Sequence, residues 1–358
     1  MKEIVAAILI LLAAEGFAQS GETTSKLIIN GYAEAYYTYD FNNPEGHNRP
    51  GFVYSHNRHN EVNLNLGIIK VAYQNENVRA NLALMAGTYT NANLAAEPGV
   101  LRNIYEANAG VKIAKKKNLW IDAGIFTSHI GFESAIGKDC WNLTRSILAD
   151  NSPYYETGAK ISYSSDNDKW FISASVLNGW QRIQRVNGNN TPAFGHQLTY
   201  KPSNKVTLNS SSFIGNDKPD SVRQMRYFHN LYGIFQLTDK FSLTAGFDIG
   251  AEQRYKGSSN YNTWYSPVLM ARFTPADKHH VSARVEYYSD PQSVIVSTGT
   301  AFGFNAWGYS LNYDYDIRNN VMWRIEARGF SAKDEIFTKP KRFSENNFFV
   351  STALAISF

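Results

Sequence analysis

Ser128 and His129 are neighbours with Glu133 close behind, and serine, histidine and a carboxylate are the residue types of a hydrolytic triad. Neighbouring side chains of an extended chain point to opposite faces, so Ser128 and His129 cannot meet there as nucleophile and base. His47, His56 and His59 offer imidazoles to a transition metal at a loop surface, without carboxylate or thiolate support. The stretch from Asp40 to Gly46 supplies oxygen ligands at the wrong spacing for a calcium loop and lacks its distal bidentate glutamate, so a solvated turn is the plainer reading. No phosphate-cradling glycine loop, zinc-knuckle spacing or redox cysteine pair is present. The single cysteine, Cys140, reads as a small buried apolar side chain. The expectation is no enzyme: no catalytic residue, no metal site and no cofactor.

A different chemistry is written in charges that alternate with apolar residues. Arg324, Glu326 and Arg328 alternate with Trp323, Ile325 and Ala327; Arg284 and Glu286 alternate with Ala283, Val285 and Tyr287. The same register turns Glu34, Arg79, Asp122, Glu156, Lys160, Asp248 and Arg272 to the polar side. Lining a water-filled passage, such charges set ion preference. Both signs are equally represented, yet four arginines fall late in the chain, which predicts a basic wall opposite a more acidic one and a transverse field for dipolar solutes. Interior salt bridges that brace the wall are the competing reading. The stretch 133–152 carries Cys140, Trp141, Ile147 and Leu148, too apolar for an exposed loop. It is expected to fold into the mouth as a constriction, with Lys138, Asp139, Arg145 and Asp150 near the passage; an external lid is the rival.

These residues need elements to hold them, and the sequence supplies one cadence throughout. Ten to fifteen alternating residues end at turn formers such as Asn75-Glu76-Asn77, Asp166-Asn167-Asp168 or Arg318-Asn319-Asn320, and no convincing helical period intervenes. About sixteen strands result. Every second connection is short; the others are long, near 41–60, 88–101, 133–152, 184–191, 216–221, 254–260, 291–301 and 332–345. Short turns on one rim and long loops on the other predict an all-β, closed antiparallel transmembrane β-barrel with short periplasmic turns and longer extracellular loops. Some sixteen strands enclose water, so the polar face turns inward and the apolar face meets lipid.

Composition agrees. Of the 358 residues, 43% are hydrophobic and 14% aromatic, which suits strands with rings at a membrane interface. Beyond the first residues no apolar run approaches the length of a transmembrane helix. Residues 1–18 open with Lys2, run apolar from Ile4 to Ala14 and place Gly16 and Ala18 at cleavage spacing. They read as a secretory signal, with 19–358 as the barrel. A net charge of +4 with no basic stripe argues against nucleic acid as a partner.

Several stretches go beyond pattern. "LWIDAGIFTSHIGFES", "WNLTRSILADNSPYYETGAKISY", "ASVLNGWQ" and the final aromatic together resemble the OmpL-like β-barrel porin family of Gram-negative bacteria, especially the Bacteroidetes. The resemblance implies a passive outer-membrane channel and gives Phe358 the role of an assembly signal read by the outer-membrane assembly machinery. The function expected is passive diffusion of small hydrophilic solutes or ions through the lumen. The partners expected are outer-membrane lipid, that machinery and the solutes, with a homo-trimer left open because no interface is legible. A barrel that only anchors adhesive extracellular loops is the alternative.

Overall fold

A side-chain period of two gives every strand one oily and one wet face, and closing the sheet satisfies both. The computed structural model describes residues 25–358, so the expected signal segment 1–18 lies outside the described residues. The strands are β1 (Lys26–Asp40), β2 (Val62–Gln74), β3 (Val78–Ala86), β4 (Ile104–Lys112), β5 (Asn118–Thr127), β6 (Tyr155–Ser164), β7 (Trp170–Leu177), β8 (Ala193–Ser203) and β9 (Val206–Gly215). They continue as β10 (Arg226–Gln236), β11 (Phe241–Gln253), β12 (Tyr261–Ala276), β13 (His279–Asp290), β14 (Phe304–Arg318), β15 (Val321–Ala332), β16 (Phe337–Lys339), β17 (Arg342–Ser344) and β18 (Asn346–Ser357). Among the described residues sixteen of these close one antiparallel barrel: β1 to β15 pair in chain order, and β18 fits between β15 and β1.

The two faces separate as the alternation requires. Phe247, Ile249, Val285 and Trp323 are exposed on the outside, while Asp248, Arg284, Glu286 and Arg324 are buried within. The seam closes where Tyr37 pairs with Thr352 and Glu34 with Ala355. At its end the Phe358 N–H donates to the Gly31 carbonyl at 3.0 Å, and the Gly31 N–H to the Phe358 carbonyl at 2.7 Å. The Phe358 ring lies over Gly31, where a Cβ would collide with it. Pro267 sits inside β12 without an N–H to donate. The β12–β13 ladder is accordingly interrupted between Tyr265–Ser289 and Val268–Glu286 without changing register, and the Ser266 hydroxyl donates to the Tyr287 carbonyl at 2.8 Å.

Two local expectations change. The strand that the alternation carries through Phe132 ends at Thr127. The Ser128 N–H still reaches the Tyr154 carbonyl at 3.0 Å. His129 is then drawn inward to Glu156, and Gly131, at φ +85°, lets the chain turn into the lumen. The stretch 332–345 is not plain loop: β16 and β17 form a hairpin whose Phe337 is buried beside Phe52 and Phe330. Phe52 comes from the first long loop and packs on Phe304 with ring centroids 4.6 Å apart, so that loop also leans into the mouth.

Candidate functional site

The stretch 128–154 enters the barrel and crosses it. Leu143, Ile147 and Leu148 are fully buried, so burial of these apolar side chains holds the segment inside. Arg145 knots it from within, donating to the carbonyls of Ser134 (2.6 Å), Leu143 (2.8 Å) and Ala135 (3.2 Å). Ser146 caps the helical turn Ile147–Asp150 by accepting from the Ala149 N–H. The Glu133 carboxylate accepts from both the N–H and the hydroxyl of Ser146.

The wall of β13 to β15 clamps this segment mainly through its main chain. Arg284 donates to the Thr144 carbonyl at 2.8 Å, Arg328 to the Arg145 carbonyl at 2.7 Å, and Arg324 to the carbonyls of Gly137 (2.6 Å) and Cys140 (2.8 Å). In the other direction the N–H groups of Thr144 and Ile147 donate to Glu326 and Glu286, each at 2.6 Å. The same charges pair with one another: Arg328 with Glu286 at 2.6 Å, Arg284 with Glu326 at 3.2 Å, Arg324 with Asp314 at 2.7 Å. All are buried, so their desolvation is offset by these pairs and by the bonds to the segment, while the Nε of Arg284 and of Arg328 finds no hydrogen-bond acceptor among the described residues. Arg272, on the adjoining strand β12, stays half-buried.

The other expected lumen charges also face inward, in separate pairs. Arg79 pairs with Asp122 and covers Trp120, and Lys160 lies over Phe126. Asp248 accepts from Asn230. Glu34 is buried against Tyr32, His56 and Asn65. Glu156 holds His129 at 2.7 Å. Burial works against a charged His129 ring, and the Glu156 carboxylate outweighs it, raising the imidazole above its ordinary value.

Four adjoining cavities run past the segment from the long-loop rim to the short-turn rim. The first, of about 490 Å³, lies at the mouth between Asp40, Arg49 and Ile295. It shares Tyr54, Asn151 and Ile295 with a second of about 440 Å³, which holds Asp150, Trp180, Arg182, Asp217 and Arg226. Ser152 joins that to a neck of about 280 Å³ lined by Tyr105, Phe132, Glu133, Tyr154 and Tyr232. Tyr105 and Ser134 lead on to a fourth, of about 670 Å³, with Lys70, Glu106, Lys138, Asp139 and Phe358. Of the expected constriction residues, Asp150 therefore borders the second cavity and Lys138 and Asp139 the fourth, while Arg145 is sealed within the segment. The neck tyrosines and Arg226 escaped the sequence reading, although Arg226 alternates with the outward Tyr227 and so carried the inward signal.

The enzyme-like residues do not assemble. His129 uses Nδ1 on Glu156 and Nε2 on the Ser212 carbonyl, and the Ser128 hydroxyl accepts from the Ile130 N–H. His56 points to Glu34, away from the stacked rings of His47 and His59. Among the described residues no group of three or more His, Cys, Asp or Glu side chains is placed to hold a metal.

Residues 26–358 match the family model described as "Putative beta-barrel porin-2, OmpL-like". No curated protein matches the chain. Among solved structures the fold is similar to an anion-selective porin from Comamonas acidovorans, at 8% identity and TM-score 0.63 over 93% of this chain and 100% of that one. It is also similar to OmpT of Vibrio cholerae in its trimer form (9%, TM-score 0.60, 93% and 99%) and to Salmonella typhi OmpF in complex with daunomycin (11%, 0.58, 93% and 98%). At such identities the likeness is one of fold. The family match spans the whole barrel, inward segment included, and the chain therefore belongs to the OmpL-like family of β-barrel porins of the bacterial outer membrane.

Proposed function

We propose that this porin passes small hydrophilic solutes and ions passively along the off-centre route formed by the four cavities, with no catalysis and no energy coupling. The observation that carries the reading is that consecutive cavities share lining residues from one rim to the other. The neck is the smallest of them and sets the size limit, while Glu133 is its one charged lining residue. Arg182, Asp217, Lys218 and Arg226 above it, and Lys70, Glu106, Lys138 and Asp139 below, present both signs to an entering solute. Sieving therefore dominates over charge selection. Outer-membrane lipid surrounds the apolar face, Phe358 serves as the signal to the assembly machinery, and the chain forms a homo-trimer, as OmpT of Vibrio cholerae does in its trimer form.

Single-channel recording of the purified protein in a planar bilayer tests this. Ohmic steps are expected, and Tyr232→Trp at the neck should reduce unit conductance by about half. A silent wild-type protein, or a neck substitution without effect, contradicts the route.

A further inference from the structure

The outer surface of β8, β9 and β10 carries polar groups where hydrocarbon belongs. A Cβ on Gly195 would run into His129 in the lumen, so His196 points out. Ser211 donates to the His129 carbonyl inside, which places Ser210 and Ser212 outside. Asn230 reaches Asp248 inside, which places His229 outside. His196 Nδ1 bonds the Ser212 hydroxyl, His229 Nε2 lies 3.1 Å from the Ser210 hydroxyl, and the two imidazoles are 5.9 Å apart. Apolar side chains bound the cluster along each strand: Phe194 and Leu198 on β8, Leu208 and Ile214 on β9, Tyr227 and Leu231 on β10.

The remaining nitrogen of each ring, His196 Nε2 and His229 Nδ1, has no partner among the described residues. Acyl chains offer none, and an unsatisfied polar group in hydrocarbon is costly. The register aligns Ala174, His196, Ser212 and His229 across four strands, and Ala109, Ala123 and Ala159 across β4 to β6. The alanines are exposed, so a shallow band of small side chains runs across these strands between rows of larger ones such as Ile121, Ile161, Ile172 and Val176. The half from β12 to β15 instead presents Tyr265, Trp307, Tyr309 and Trp323 to the outside.

Small residues let two walls approach closely, and polar side chains bond across the contact. We infer that the outer face of β5 to β10 docks a second copy of this chain, whose serine hydroxyls and imidazoles satisfy the two free ring nitrogens. A second copy fits because the cluster mixes donors and acceptors, which lipid tails do not, and beside the three-fold axis of the trimer proposed above the same patch of each copy lies next to its equivalents. The inference rests on the oligomer reading above and names the face that makes it.

The test weighs the full chain, folded in detergent, by light scattering. Wild type should be oligomeric. Ala174→Trp and Ser212→Trp should each lower the oligomer population about tenfold, as expected when a small-residue contact is forced apart. Trp307→Ala, on the opposite face, should leave it intact, with folding checked by heat-modifiable migration. Spin labels at Ser212→Cys or Trp307→Cys, each in a Cys140→Ala chain, give a second readout: the inter-copy distance should be short at 212 and long at 307. An oligomeric wild type that ignores both tryptophans, with the shorter distance at 307, overturns the face alone. A monomeric wild type overturns the face and the oligomer together.

Discussion

The two halves of the lumen wall are built from the same alternating strands and do opposite work. On β13 to β15 the charged side chains reach across and hold the inward segment, so their charges face protein. On the side of β4, β6 and β10 the wall meets the segment only at its start, where His129 bonds Glu156 and Phe132 packs on Tyr232, and beside these contacts a neck remains between Tyr105 and Tyr232 of the wall and Tyr154 of the segment. The wall richest in charge is thus the one a solute meets least. Interior charge on a barrel reports on permeation only after its protein partners are subtracted.

Releasing the clamp should break this contrast most completely. Arg284→Met with Arg328→Met strands Glu133, Glu286 and Glu326 without their cations, and each broken buried pair costs about 3–5 kcal/mol. The segment should leave the wall: unit conductance rises about twofold or more, and the barrel unfolds on heating at a visibly lower temperature. Unchanged conductance would place the boundary of the passage elsewhere.

Asp150 sharpens the contrast from the open side. Burial pushes its carboxyl up to about 7, against the lowering pull of Arg328 and Arg145. The folded chain keeps a proton that the unfolded chain releases near the ordinary value of about 4. Stability linked to neutral Asp150 is therefore present in acid and is lost as pH rises through about 7. Conductance recorded across that range should change with pH in wild type and stay flat in Asp150→Asn.

Lys138 gives the smallest effect. It donates to the Asn319 carbonyl (3.0 Å) and the Ser357 hydroxyl (2.9 Å) at the short-turn rim, within reach of water. Lys138→Ala should cost no more than about 1 kcal/mol and leave conductance nearly unchanged. A large change would mean that the segment is anchored at its tip rather than along its length.

The barrel was legible because its rules are local. A period of two fixes the face of Arg324 or Glu326 from its neighbours, and turn formers mark the short rim. That 133–152 is too apolar to stand in water was legible for the same reason. The partners were not: Thr144 meets Glu326 and Ile147 meets Glu286 across the lumen, and no periodicity encodes which distant residues face each other. The end of β5 at Thr127 was hidden too, because Ser128 to Phe132 keep an alternating look while His129 answers to Glu156.

The clamp on the inward segment closes mostly on peptide oxygens, those of Gly137, Cys140, Thr144 and Arg145. A peptide oxygen is the same whichever amino acid carries it. The bar across this channel can therefore be respelled, residue by residue, on its free side without loosening the grip that keeps it in place. Permeability becomes a property open to engineering while the scaffold stays as it is.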